Sequence, residues 1–263
     1  QDRSVKVDYV PDRLPGRGFL IEASKLTGNA DAPAPTRGFE FSVDVVGAVR
    51  WDQVWGIPQR DTTRWERSAA KERWTRTNPE RLTKLTTDLN GGLTIDGQGA
   101  YVPTVKTIRQ IRRHHLGDRK PGGLFFELVT FEGFTSGGIT GDTWAEIAAA
   151  TLAYIAQRLT TVLAQPLCDP ALGTPYAPAP DAGDVAHAAT VFQRLATDAA
   201  RALHDAECPA AATWRRIFGN NTQAHGPVFP LPAYCRDDGA AVPVIAIPNR
   251  LRGSNEARGF GAE

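Results

Sequence analysis

Asp44 sits in the middle of an apolar, valine-rich run, Phe39 to Val49 (FEFSVDVVGAV), and its setting asks for a chemical explanation. Alternation puts Phe39, Phe41, Val43 and Val45 on one side of a strand and Glu40, Ser42, Asp44 and Val46 on the other. An acid between valines is costly unless it is paired, hydrated or metal-bound. It reads either as a metal ligand or general base at a sheet face, or as an acid on a solvated face. A second pattern is cationic. Lys106, Arg109 and Arg113 recur at i, i+3 and i+7 and so share one side of a helix. Such a stripe meets a triphosphate or RNA, or is simply a solvated face. Lys120 lies in a Gly/Pro-rich turn, GDRKPGG, where backbone can approach an anion closely.

Other chemistries find less support. The histidines (His114, His115, His187, His204, His225) show no zinc-ligand spacing, and the adjacent pair is expected to point in different directions. No serine has a GxSxG context, no GxxxxGK[ST] occurs, and no GxGxxG opens a helix. A Walker-type NTPase and a Rossmann dehydrogenase are disfavoured. Cys168, Cys208 and Cys235 lie far apart without CxxC spacing and read as reduced thiols in a cytoplasmic protein.

These residues need elements to hold them. Val5–Val10 and Gly18–Ala23 are candidate strands, the latter pairing antiparallel with Phe39–Val49 across a long connection. Asn78-Pro79 reads as N-cap and first residue of a helix that ends near Gly91-Gly92. Pro103 opens a helix stopped by Gly117, with Val105, Ile108 and Ile111 as its apolar side. Leu124–Phe134 is apolar and helical. Thr143 and Glu146 form a capping-box pattern at the start of a helix reaching about Gln165. Residues 166–183 read as a loop, and further helices span roughly Asp184–Ala206 and Ala210–Phe218. Strands segregated before helices predict an α+β fold, with a β-containing part over 1–100, a helical lobe over 101–235 and a tail over 236–263.

Composition sets the outer bounds. The chain has 263 residues, 41% apolar and 22% charged, which excludes collagen, coiled coil and wholesale disorder. A net charge of +1 gives no bulk argument for nucleic acid or membrane binding, so any basic surface is local. No apolar run is long enough for a membrane span. Methionine is absent even at position 1, and the N-terminus is read as incomplete.

The order of motifs carries more than any single residue. FSVDVVGAV is followed by a Trp-bearing stretch with Ile57-Pro58, then WTRTNP (Trp74 to Pro79), then YVPTVKTIRQIRR, then LFFELV after a Lys-Pro turn. The series closes with TWRRIFG (Thr213 to Gly219) and Phe229-Pro230. Over residues 39–232 it resembles the cGAS/DncV-like nucleotidyltransferases of bacterial cyclic-oligonucleotide defence, relatives of the 2′-5′ oligoadenylate synthases. The resemblance implies a polymerase-β-like lobe packed on a helical lobe. It also implies a template-independent enzyme making a cyclic or linear oligonucleotide messenger from NTPs with Mg²⁺ or Mn²⁺. Asp44 matches the last of three metal-binding carboxylates, with Gly47 where the family has Pro. Lys106 matches the lysine that approaches the donor triphosphate. Lys120 matches a phosphate-binding turn, with Gly122-Gly123 where Ser is expected. The family's Gly-Ser motif and D-x-D strand are not visible; in Val5-Lys-Val-Asp8, Lys6 stands where the first Asp belongs. The implied partners are nucleoside triphosphates and an activating RNA or regulatory protein, with no membrane, and the implied state is a monomer. The alternative is a catalytically inactive relative that acts as a nucleotide- or RNA-binding sensor.

Overall fold

A computed structural model describes residues 19–22, 42–45, 48–51, 53–58, 74–176, 179–221 and 226–242. The candidate strand Val5–Val10 and the tail beyond Val242 lie outside the described residues. The fold is mixed α+β, with six helices and small antiparallel sheets among the described residues. The chain divides into two compact units, Gln1–Leu89 with Leu167–Ala177, and Asn90–Pro166 with Pro178–Glu263.

In the first unit β1 (Phe19–Glu22) pairs antiparallel with β2 (Ser42–Val45), Leu20 opposite Asp44 and Glu22 opposite Ser42. The expected pairing across a long connection is therefore present. The expected single strand from Phe39 to Val49 is not. Val49 begins a separate strand, β3 (Val49–Trp51), in a different sheet with β4 (Val54–Pro58) and β5 (Trp74–Thr77). The register of this second sheet sets Arg50 opposite Trp55, and the guanidinium lies 5.5 Å from the indole centroid, a cation–π contact. Helix α1 (Pro79–Gly92) starts where the sequence places it. Asn78 Oδ1 accepts the Arg81 N–H at 3.0 Å, and Asn78 Nδ2 donates to the Gln53 carbonyl at 2.7 Å. The stretch read as a loop after residue 166 returns to this unit as a short hairpin. Its turn is closed by Asp169 Oδ1, which accepts from Ala171 and Leu172 N–H at 2.8 and 3.1 Å.

The second unit is helical. After a minimal hairpin of β6 (Thr94–Ile95) and β7 (Gln98–Gly99) come α2 (Tyr101–Leu116), α3 (Gly123–Thr135) and α4 (Trp144–Thr161). β8 (Cys168–Asp169) and β9 (Thr174–Pro175) form the returning hairpin of the first unit. Then follow α5 (Ala182–Ala202), α6 (Glu207–Phe218), β10 (Asn220–Asn221) and β11 (Gly226–Pro227). Pro103 is the third residue of α2, not its first. A first-turn residue needs no intrahelical N–H, so proline is tolerated there. Asn90 Oδ1 accepts the Val102 N–H at 2.8 Å and satisfies one of the free donors of that turn. Gly117 ends α2 at φ +57°, a conformation that favours glycine. α4 carries the predicted capping box complete: Thr143 Oγ1 accepts from Glu146 N–H while the Glu146 carboxylate accepts from Thr143 N–H.

The core of this unit is built on α4 and α5, its most extensive helix pair. Ile147, Leu152, Ile155 and Leu159 are buried on α4, and Val185, Phe192, Leu195 and Ala199 on α5. Phe126 of α3 stacks on Phe192 at 4.8 Å between ring centroids. Gly133 permits a close approach in α3, since a Cβ there would stand 2.4 Å from Ile139 Cδ1.

Two sequence expectations are corrected here. Cys208 and Cys235 are not reduced thiols; they form a disulfide, and only Cys168 is a free cysteine. Twenty-seven residues separate them in sequence, and the return of the chain after α6 brings their Cα atoms to 5.2 Å, which no linear spacing rule reveals. The rings of His114 and His115 do not diverge but meet edge-on at 4.7 Å, with His115 Nε2 bonded to the Ile217 carbonyl of α6 at 2.9 Å. Among the described residues no helix is long and apolar enough to cross a membrane.

Candidate phosphate-binding site

The apolar positions of α2 do as the pattern requires: Val105, Ile108 and Ile111 are buried. Their burial turns Lys106, Arg109 and Arg113 outward, and all three are exposed. The stripe is thus a solvent-facing row of cations fixed by the packing of its opposite face.

Arg109 is the member that the tertiary structure engages. Its Nη1 lies 3.9 Å from Glu127 Oε2 on α3, with the Arg109 side chain 60% exposed and that of Glu127 24% exposed. Its Nε would stand 3.4 Å from a Cβ built on Gly123. The guanidinium therefore lies beside the first turn of α3. That turn starts at Gly122, which has no side chain to cap it, so its leading N–H groups have no side-chain acceptor from the N-cap. A positive helix end and a guanidinium beside it make an environment suited to an anion with several oxygen acceptors.

The turn leading into α3 is held from α2. Arg112 Nε donates to the Pro121 carbonyl at 3.2 Å, and Arg112 Nη2 donates to the Arg119 carbonyl. Burial pushes the Arg112 guanidinium below its ordinary range, an effect that nearby Asp118 opposes. Lys120 follows Arg119 in this turn and is exposed. Its peptide bond to Pro121 is cis.

Below this surface Tyr101 is buried between α2 and α3, with Phe131 and Phe134 edge-on at 6.1 and 5.6 Å. Its hydroxyl has no hydrogen-bond partner among the described residues. Burial raises its pKa far above the usual phenol range, and the charge of Glu127 adds to the effect.

Of the residues singled out from the sequence, Lys106 and Lys120 lie in the second unit and Asp44 in the first, on β2 opposite Leu20. The carboxylate chemistry of Asp44 suits Mg²⁺ or Mn²⁺, hard cations that take oxygen ligands. It is one donor, however, and among the described residues no group of three His, Cys, Asp or Glu could hold a metal ion. Sequence reasoning missed the roles of Arg112 and Glu127; it read GDRKPGG as a turn whose backbone can approach an anion, and Gly122-Gly123 as standing where a serine is expected, but not as an uncapped helix start. The available signal was a Gly-Gly pair directly before an apolar helix, which marks a helix start without a capping side chain. Comparison with known proteins gives no family model that matches the chain and no curated protein that matches it.

Proposed function

We propose that the chain is a template-independent nucleotidyltransferase of bacterial antiphage defence, acting in the cytoplasm. It joins NTPs into a cyclic or linear oligonucleotide messenger. The observation that carries the reading is Arg109 beside the uncapped first turn of α3, with Lys106 on the same side of α2 and Lys120 in the turn that precedes α3. The order of motifs along residues 39–232 supports it independently.

In this reading Lys106 and Lys120 neutralise the triphosphate of the donor nucleotide. Arg109 and the backbone N–H groups of the α3 first turn orient its oxygens. Phosphoryl transfer depends on such positioning and charge neutralisation, and needs no covalent intermediate on the protein. Arg112 keeps the turn in place through two carbonyls, so Lys120 works from a fixed backbone. Asp44 would hold Mg²⁺ or Mn²⁺ together with carboxylates outside the described residues; bound there, the metal would activate a ribose hydroxyl and offset charge on the leaving pyrophosphate.

The test is to incubate the full chain with all four NTPs and Mg²⁺ or Mn²⁺ and separate the products by ion-exchange chromatography and mass spectrometry. Oligonucleotide product should appear and should vanish in Asp44→Asn. Product formation at an undiminished rate in Asp44→Asn overturns the assignment of Asp44. Nucleotide binding without turnover in the unaltered chain transfers the reading to a sensor.

A further inference from the structure

We propose that the Cys208–Cys235 disulfide is a reversible clasp: reduction by a small thiol or dithiol releases segment 226–242 from α6. The proposal is independent of the nucleotidyltransferase reading.

The clasp joins the first turn of α6 to a stretch with little secondary structure of its own. The stretch starts at β11 and contains one isolated bridge, Cys235 to Ala241. Its other ties to α6 are two polar pairs that face solvent and a tilted contact of half-buried Phe229 with Phe218, ring centroids 5.8 Å apart. Arg215 pairs with Asp237 at 2.8 Å, but the Asp237 side chain is 82% exposed. The Tyr234 hydroxyl bonds to Glu207, and both residues are exposed. Exposed polar pairs of this kind contribute little. Gly239 runs close to α6: a Cβ built on it would stand 3.2 Å from Pro209 Cα and 3.7 Å from Ala212 Cβ. Both cysteines are buried, at 7% and 8% exposure, and opening the bond removes the cross-link between them and leaves the backbone after α6 as the covalent connection.

The chemistry has a route. Cys235, Arg215, Leu231 and Asp237 line an open cavity of about 640 Å³, which gives a small thiol room to approach Cys235. The incoming thiolate bonds to Cys235 Sγ and breaks the S–S bond. Cys208 leaves as a thiolate at the positive N-terminal end of α6 and takes a proton. A second thiol of the reductant then attacks its own sulfur in the mixed disulfide and frees Cys235, which also takes a proton. Two electrons pass from two reductant thiols, which end as a disulfide; oxidised glutathione reverses the reaction.

The test equilibrates the full chain, without denaturant, in buffers of graded reduced and oxidised glutathione. Free thiols are trapped with iodoacetamide and counted by mass, and hydrogen exchange is followed by segment. In oxidised buffer only Cys168 should be alkylated; in reduced buffer all three cysteines should be, and re-oxidation should reverse the change. Exchange within 226–242 should rise at least tenfold on reduction while Trp144–Thr161 and Ala182–Ala202 stay as they were. The double variant Cys208→Ser, Cys235→Ser should match the reduced pattern in every buffer. Three results overturn the clasp: cysteines that oxidised glutathione never joins, a bond that opens only after denaturation, or reduction that loosens α4 and α5 as well. If the double variant fails to fold, the native reduction of the unaltered chain still decides.

Discussion

Arg109 and Gly123 meet edge to backbone: the guanidinium of one helix occupies the space beside the first turn of the next, 3.4 Å from where a side chain would begin. An alanine fits that space at ordinary contact distance, and a β-branched residue does not. Gly123→Ala should therefore keep anion binding and raise stability by up to about 1 kcal/mol through the unfolded chain. Gly123→Val should displace the guanidinium and weaken tripolyphosphate binding about tenfold, roughly 1.4 kcal/mol. Titration calorimetry with tripolyphosphate, alongside thermal melts, separates the two. Equal affinity for both variants would mean that Arg109 does not touch the anion.

The orphaned hydroxyl of Tyr101 makes the opposite kind of prediction. A buried polar group without a partner costs free energy, so its removal is expected to help. Tyr101→Phe should leave stability unchanged or raise it by about 1 kcal/mol in a denaturant titration. A clear loss of stability would show that the hydroxyl has a bridging partner, and Glu127 is the first place to look.

The cap of α4 sets a pH dependence. The N–H of Asp142 holds the Glu146 carboxyl below its ordinary value of 4.5, and the side chain and N–H of Thr143 add to the effect. A carboxyl lowered on folding binds its proton more tightly in the unfolded chain. Its contribution is fully present above 4.5 and is lost as pH falls from there through the folded value. Stability of the unaltered chain relative to Glu146→Gln should thus shrink between neutral pH and about pH 3. Thr143→Ala should cost about 1 kcal/mol at neutral pH. A gap between the chain and Glu146→Gln that does not change with pH would remove the assignment.

Glu132 ties α3 to α4. Its two oxygens accept from Arg158 Nε at 2.6 Å and Nη2 at 3.2 Å, and Oε1 also accepts from the Tyr154 hydroxyl at 2.8 Å. The Arg158 side chain is only 12% exposed, so Glu132→Ala leaves a shielded charge without its partner. The partly exposed Glu132 lessens the penalty, and about 2 kcal/mol of destabilisation is expected by chemical denaturation. Removing both partners, Glu132→Ala with Arg158→Met, should recover part of that loss. A double variant no better than the single one would assign the cost to Tyr154 and packing instead.

What the sequence by itself determined is local. Asn78 and Pro79 start α1, and Thr143 with Glu146 caps α4, because each cap joins groups within three residues of one another. The buried side of α2 was legible for the same reason: Val105, Ile108 and Ile111 recur at helical spacing, and their burial turns Lys106, Arg109 and Arg113 outward. Tertiary structure decided whatever joins distant parts of the chain. Glu127 and Gly123 became neighbours of Arg109 only when α3 folded back on α2. The long strand expected around Asp44 is shorter than its pattern because Ser42–Val45 pairs with β1 while Val49, its last residue, pairs with β4 in another sheet. Cys208 and Cys235 are paired by the return of the chain after α6. Caps and periodicity are written into dihedral preferences and nearest neighbours. Which faces meet depends on how the buried surfaces of whole helices fit together, and no short window of residues holds that information.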